Sequence, residues 1–208
     1  MKKATPKELN KHRIRTRETH ARLINAAEQV FVRDGYEGAQ LAEIAKVAGR
    51  SKGAVYANFK SKEDLFLALF EHRTGQFIDR LSQKLERCQT QKERYDTFRA
   101  FYVGLTSDKT WPILTLEFKL FALRHPESRE RLRKAFEMTR ATSRRFTLED
   151  LVGPITSRRK REAELARLAL GPIVNALILE TFFEPEQLSE KAMRHILGRV
   201  FDALFEQK

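Results

Sequence analysis

Between residues 49 and 62 the sequence places side chains that suit contact with a nucleic-acid duplex. After Val55 and Phe59 are set aside as inward-facing, the residues left outside on the stretch 52–58 are Lys52, Gly53, Ala54, Tyr56, Ala57 and Asn58. Lys52 suits guanine O6/N7 or a phosphate, and Asn58 suits an adenine edge. Ala54 and Ala57 admit close approach, with a thymine methyl within reach, and Gly53 adds no bulk. Tyr56 is placed to give its hydroxyl to a phosphate, a contact that positions a helix without reading sequence. Lys62 is a second phosphate candidate.

These residues need a helix that presents its exposed side, and the preceding residues supply the frame for one. Leu41, Ile44, Ala45 and Ala48 recur at helical spacing, Gly49-Arg50 forms a turn, and Ser51 is placed to cap a short helix carrying Val55 and Phe59. Ala45 and Ala48 let two helices cross closely, and Gly49 turns the chain at little steric cost. The capped amide end then points outward, where phosphates bind. Two short helices joined in this way make a helix-turn-helix. A helical hairpin in an ordinary bundle has the same local pattern.

Charge agrees with a polyanionic partner. The chain of 208 residues carries a formal net charge of +12. Residues 1–17 hold Lys2, Lys3, Lys7, Lys11, Arg13, Arg15 and Arg17 against Glu8 alone, which is half of that excess. Such an arm gives salt-dependent affinity for phosphates, and it equally describes a solvated tail. Cys88 is the only cysteine, so no intrachain disulfide and no cysteine-rich zinc site is expected, and the five histidines lack close ligand spacing. No metal or cofactor is expected. There is no Gly-rich phosphate loop and no nucleophile motif, so no catalytic residue is assigned and an enzyme is not expected. With no apolar core after the basic start and no apolar run of spanning length, neither signal peptide nor membrane partner is expected, and the cytoplasm is the expected location.

The remaining pattern is helical throughout. A first helix is expected from about Arg17 to Asp34, capped by Thr16 and ended by Gly35, with Leu23, Ile24, Ala27, Val30 and Phe31 inward. Ser61 is placed to cap a long fourth helix. Further helices are expected at about 92–106, 111–124, 127–149, 160–183 and 187–206, with Pro172 kinking the penultimate one. The last two have apolar faces wider than one surface helix needs. Leu168, Ala176, Leu179 and Phe183 on one, and Ile196, Val200, Phe201 and Leu204 on the other, fit a surface between two subunits or an intrasubunit core. Aromatic residues crowd the middle of the chain. Phe98, Phe101, Tyr102, Trp111, Phe118, Phe121 and Phe146 suit a core or the walls of a pocket. Glu117 suits a cationic or hydroxylated ligand, or an ion pair with an arginine such as Arg124. Asn175, in an apolar stretch, needs a polar partner if buried.

Residues 15–70 resemble the N-terminal domain of the TetR family of bacterial transcriptional regulators. The matching positions are Thr16-Arg17, Ala26-Ala27, Phe31, Gly35-Tyr36, Ile44-Ala45, Ala48-Gly49, Ser51-Lys52-Gly53, Val55-Tyr56, Phe59, Ser61-Lys62-Glu63 and Leu65-Phe66. The resemblance implies an all-α subunit with a three-helix DNA-binding domain carrying the helix-turn-helix, expected at 1–60. A helical ligand-binding and dimerisation domain is expected at 61–208. It implies a homodimer on palindromic operator DNA, most simply a repressor released by a small molecule; the other reading gives the C-terminal domain a protein partner or no effector. The sequence departs from the family where a hydroxyl residue usually opens the second helix. Ala39-Gln40 stands there, with Gln40 the available substitute, and Arg50 replaces a small apolar residue.

Overall fold

The computed structural model describes residues 6–130, 133, 147, 149–150 and 157–205, with side chains from Thr16 onward and again from Lys160. Phe146, the arm before Pro6, and the side chains of Lys7, Lys11, Arg13 and Arg15 lie outside what is described. No strand occurs among the described residues. The helices are α1 (Pro6–Gly38), α2 (Leu41–Val47), α3 (Lys52–Asn58), α4 (Lys62–Leu85), α5 (Gln91–Gly104), α6 (Thr110–Arg124), α7 (Ser157–Glu180) and α8 (Glu190–Phe205). A 3-10 turn at Leu105–Ser107 follows α5, and residues 126–130 are helical.

The first helix begins eleven residues earlier than its apolar periodicity suggests, because helical backbone extends into the basic arm from Pro6. Proline suits that start, where the amide has no helical acceptor to lose. Thr16 therefore lies inside α1 and does not cap it. Gly35 does interrupt the helix, with φ 69° and ψ 174°, a backbone that a side chain would strain. The later starts have clear local causes. Thr90 accepts from the Glu93 amide while the Glu93 carboxylate accepts from Gln89 and Thr90, which holds Glu93 below the usual carboxylate range. Asp108 Oδ1 accepts from the amides of Thr110 and Trp111 at 3.2 and 3.1 Å, starting α6. α7 runs on through Pro172.

The chain forms two compact units. One holds the chain up to Arg73 with the stretch that begins at Glu117; the other holds Thr74–Leu116 and the C-terminal helices. In the first, α1, α2 and α3 pack on one another over Leu23, Ile24, Ala27, Val30, Phe31, Ile44 and Val55. Phe66, Phe70, Phe118 and Phe121 extend this core as a cluster of rings, Phe70 stacked on Phe118 at 4.3 Å. In the second, α8 packs against α5 and α7. Leu85, Phe98, Ala166, Leu170, Phe201 and Phe205 form one core cluster, and Val174, Ile178, Met193 and Leu197 another. Phe201, expected on the apolar surface of α8, is instead fully buried in the core of its own subunit. The cause is geometric: it meets Phe98 at 5.1 Å and Tyr95 at 5.5 Å, both on α5.

Candidate nucleic-acid interface

The turn between α2 and α3 forms as its residue types require. Gly49 takes φ 63°, and the amides of Ala48, Gly49 and Arg50 bond back to Ile44, Lys46 and Ala45. Ser51, in extended backbone, accepts from the Ala54 amide at 3.2 Å and so caps α3. Val55 and Phe59 are buried beneath α3, and the His20 ring of α1 lies 4.9 Å from Phe59. Burial, and then the nearby His72, lower the His20 pKa, so this contact favours a neutral imidazole.

What α3 leaves outside is Ser51, Lys52, Gly53, Tyr56 and Ala57, with Ala54 half-buried. Tyr56 is 53% exposed, which is unusual for so large a ring, and Lys52 Nζ stands 5.9 Å from its centroid. The two therefore share one face, an ammonium beside a phenol, both reached by solvent. Gln40 is exposed at the start of α2, where its side chain makes no capping bond. Arg17 is exposed on α1.

Two other candidates are engaged inside the fold. The Asn58 amide donates to the Ala54 carbonyl at 2.8 Å and is half-buried, so reaching a base edge requires it to leave that bond. Lys62, expected at a phosphate, instead donates to the carbonyls of Tyr36, Glu37 and Ala39 at 2.8, 3.1 and 3.2 Å. It also lies 4.6 Å from the Tyr36 ring centroid. α1 ends at Gly38, so these carbonyls have no donors from a following helical turn, and the ammonium supplies one. Arg50 turns back to α1, its Nε donating to Thr19 Oγ1 at 3.4 Å and its Nη1 to the Gly49 carbonyl at 3.1 Å. Thr19 and His20 had no distinguishing local signal in the sequence, since both contacts form only when α1 meets α3 and the turn.

The candidate pocket residues fall into both units. Phe98, Phe101 and Tyr102 form an aromatic group with Phe77 and Phe201 in the second unit, with edge-on packing of Phe77 on Phe101 at 4.9 Å. Burial pushes the Tyr102 hydroxyl up to about 12. Trp111 and Asn175 are only half-buried in that unit. Phe118 and Phe121 belong to the first unit's ring cluster, Phe121 lying 4.2 Å from Tyr36. Glu117 accepts the Tyr36 backbone amide at 2.8 Å, in place of either expected partner. Of the surface residues, Leu168, Phe183 and Ile196 are 38%, 78% and 37% exposed. Ala176 is exposed, whereas Leu179, Val200 and Leu204 are half-buried, Leu204 against the core.

Among the described residues, no helix is long and apolar enough to cross a membrane, and no group of three His, Cys, Asp or Glu side chains is placed to hold a metal ion. Residues 23–69 match the family model described as bacterial regulatory proteins, tetR family. The chain is 38% identical over 78 residues to the fatty acid metabolism regulator protein of Bacillus subtilis, 38% of this chain and 40% of that protein. The match to that relative thus spans well under two thirds of its length. A longer match is to the HTH-type transcriptional regulator CymR of Pseudomonas putida, 30% identical over 149 residues, 69% of this chain and 68% of that protein. In fold, the chain resembles the transcriptional regulator FadR from Bacillus subtilis, solved in complex with stearoyl-CoA. There the TM-score is 0.63 at 22% identity, covering 89% of this chain and 97% of the other. A matched helix-turn-helix, the longer alignment to CymR and the shared helical fold lead to one conclusion: the chain belongs to the tetR family of bacterial regulatory proteins.

Proposed function

We propose that the protein is a ligand-responsive, sequence-specific DNA-binding regulator, a repressor that leaves a palindromic operator when a small molecule binds its C-terminal part. The observation that carries this is α3. Its apolar side is anchored by Val55 and Phe59, while Lys52 and Tyr56 stand outward together. A helix anchored on one side and polar on the other fits the major groove of a duplex, with Lys52 at a guanine or phosphate and Tyr56 at a phosphate. Arg17, Gln40 and Ser51 support it at the backbone, with Arg15 and the arm adding long-range attraction. Gly53 and Ala54 allow close approach. A net charge of +12 supports the same partner.

Two such helices, one from each subunit of a homodimer, engage half-sites one or more helical turns apart. The functional division is residues 1–60 for DNA and 61–208 for effector and dimer, in a cytoplasmic protein without catalytic activity. The effector site in this reading lies near Phe98, Phe101 and Tyr102, whose rings and one phenol hydroxyl favour a largely apolar molecule. The stearoyl-CoA in the Bacillus subtilis FadR structure makes a long-chain acyl-CoA the first compound to assay. Ligand acts by population shift, so it must bind the state released from DNA better than the operator-bound state.

The test is fluorescence anisotropy with the DNA upstream of the protein's own gene, at moderate salt, with and without stearoyl-CoA. Tight binding that unlabelled random DNA fails to displace is the expected result. Equal affinity for random DNA would remove the operator claim. Operator binding indifferent to a panel of apolar ligands would favour a C-terminal part without a small-molecule effector.

A further inference from the structure

The five residues from Gly35 to Ala39 carry the kinked end of α1 toward α2, and their backbone is held by side chains distant in sequence. At the break in α1, the Tyr36 amide donates to Glu117 Oε2 at 2.8 Å. From α4, Lys62 Nζ donates to the carbonyls of Tyr36, Glu37 and Ala39. The Tyr36 ring is packed by Phe121 at 4.2 Å, Phe66 at 5.0 Å and Phe31 at 5.9 Å. Gly35 permits the approach: a Cβ there would lie 3.3 Å from both Glu117 carboxylate oxygens. Positive φ and this close contact therefore both call for glycine.

Charge assists both sets of bonds, and their directions are complementary. A carboxylate takes the amide that the break leaves without a helical acceptor, and an ammonium takes the carbonyls. Directly after the held segment comes Gln40, which opens α2, and α2 packs on α3. A rotation of a few degrees at residues 35–39 would thus be carried into the recognition helix.

We infer that Glu117 and Lys62 form a two-sided backbone clamp that positions the helix-turn-helix, Glu117 being a positioning residue and not a ligand-orienting carboxylate, and Lys62 not a phosphate contact. This rests on the reading of the protein as a DNA-binding regulator. It deepens that reading by assigning residues that set operator affinity without touching DNA.

The test uses the full-length chain and the variants Glu117→Leu, Glu117→Gln and Lys62→Met. Operator affinity is read by anisotropy across a salt series, and backbone opening by hydrogen exchange with mass spectrometry. Glu117→Leu should bind operator at least tenfold more weakly, with peptides covering residues 35–39 exchanging at least tenfold faster and peptides from 160–205 unchanged. Glu117→Gln retains an oxygen acceptor and should restore binding to within about threefold of wild type. Lys62→Met should weaken binding with the salt slope unaltered, whereas loss of a phosphate contact would reduce that slope by about 0.9. Wild-type affinity and exchange in Glu117→Leu would overturn the clamp. So would faster exchange throughout the chain, which marks general destabilisation, or a reduced slope in Lys62→Met. If the wild-type chain binds no DNA, the regulator reading fails instead, and unchanged exchange at residues 35–39 in Glu117→Leu still overturns the clamp.

Discussion

Tyr56 has a large apolar ring and stays half in solvent, with Lys52 beside it. Folding gives little reason for that placement, whereas a phosphate at the hydroxyl would. Tyr56→Phe should therefore leave thermal stability within about 0.5 kcal/mol, the range of surface changes, while operator affinity falls by roughly tenfold, near the upper end of one hydrogen bond. Anisotropy and a melting curve separate the two quantities. Undiminished affinity would remove Tyr56 from the interface. His125 poses a different residue-scale question. Its ring nitrogens face Glu37 at 3.3 Å and Glu127 at 3.1 Å, and hydrogen bonds to Glu37 and then Glu127 raise its pKa above the ordinary histidine value. A raised folded pKa means the tie between α6 and the end of α1 is fully present below the unfolded value, near 6.5. It is lost as pH rises through the folded value. NMR titration of the His125 ring should show a midpoint that drops in Glu37→Gln; an unmoved midpoint would refute the pairing. Lys52 and Tyr56 were legible from local spacing, because one buried pair, Val55 and Phe59, fixes which side of a short helix is left. Glu117 and Lys62 were not, since their partners lie 81 and 23 to 26 residues away and nothing nearby marks a broken helix that needs donors and acceptors.

At the scale of elements, the short α3 depends on its cap. Seven residues, Lys52–Asn58, contain too few internal bonds to be stable alone, so the bond from the Ala54 amide to Ser51 Oγ carries unusual weight. Ser51→Ala should cost about 1 kcal/mol in chemical denaturation, and Ser51→Asp should recover most of it as a cap while weakening DNA binding by adding a negative charge near phosphate. Stability lost equally in both variants would contradict the capping role. In α8, Gly198 is buried, and the three nearest atoms to an added Cβ all belong to Arg99, Nη2 at 2.6 Å. Arg99 lies there to bond Asp202 with both Nε and Nη2, an interaction that holds the Asp202 carboxyl below its usual range. Gly198→Ala should gain about 1 kcal/mol of helix propensity and lose a comparable amount by displacing the guanidinium. The single variant should then be close to neutral, and the same change in an Arg99→Ala background should stabilise by about 1 kcal/mol. Additivity in that double-mutant cycle would refute the coupling. Elements were legible to different degrees for the same kind of reason. The turn at Gly49, the cap at Ser51 and the break at Gly35 each follow from one residue's conformational preference. The start of α1 at Pro6 was missed because residues 6–15 carry charge and little apolar periodicity, so nothing in their pattern demanded a helix.

For the whole molecule, the question is which apolar side chains stabilise a subunit and which a pair of subunits. Apolar width alone could not divide α7 and α8, and Phe201 read as a surface residue because it shares a helix with Ile196 and Val200. Burial separates them: Phe201 is fully buried against α5, while Leu165, Leu168, Phe183 and Ile196 remain 58%, 38%, 78% and 37% exposed. Leu165 and Leu168 on α7, Phe183 in the turn after it and Ile196 on α8 are large apolar residues that a single subunit leaves in water. If the proposed homodimer covers them, the two classes of residue must respond differently to substitution. Phe201→Ala opens a cavity and should cost about 3–5 kcal/mol of subunit stability, with lower melting temperature at every protein concentration. Leu168→Glu places a charge on a face already in contact with water in the lone subunit, so the folded subunit should survive. Its sedimentation coefficient should fall from that of a pair to that of a single chain, and operator affinity should fall steeply because two half-sites no longer engage one rigid partner. A Leu168→Glu protein that sediments as wild type would place the subunit contact elsewhere. A Phe201→Ala protein that dissociates without losing subunit stability would return Phe201 to the interface.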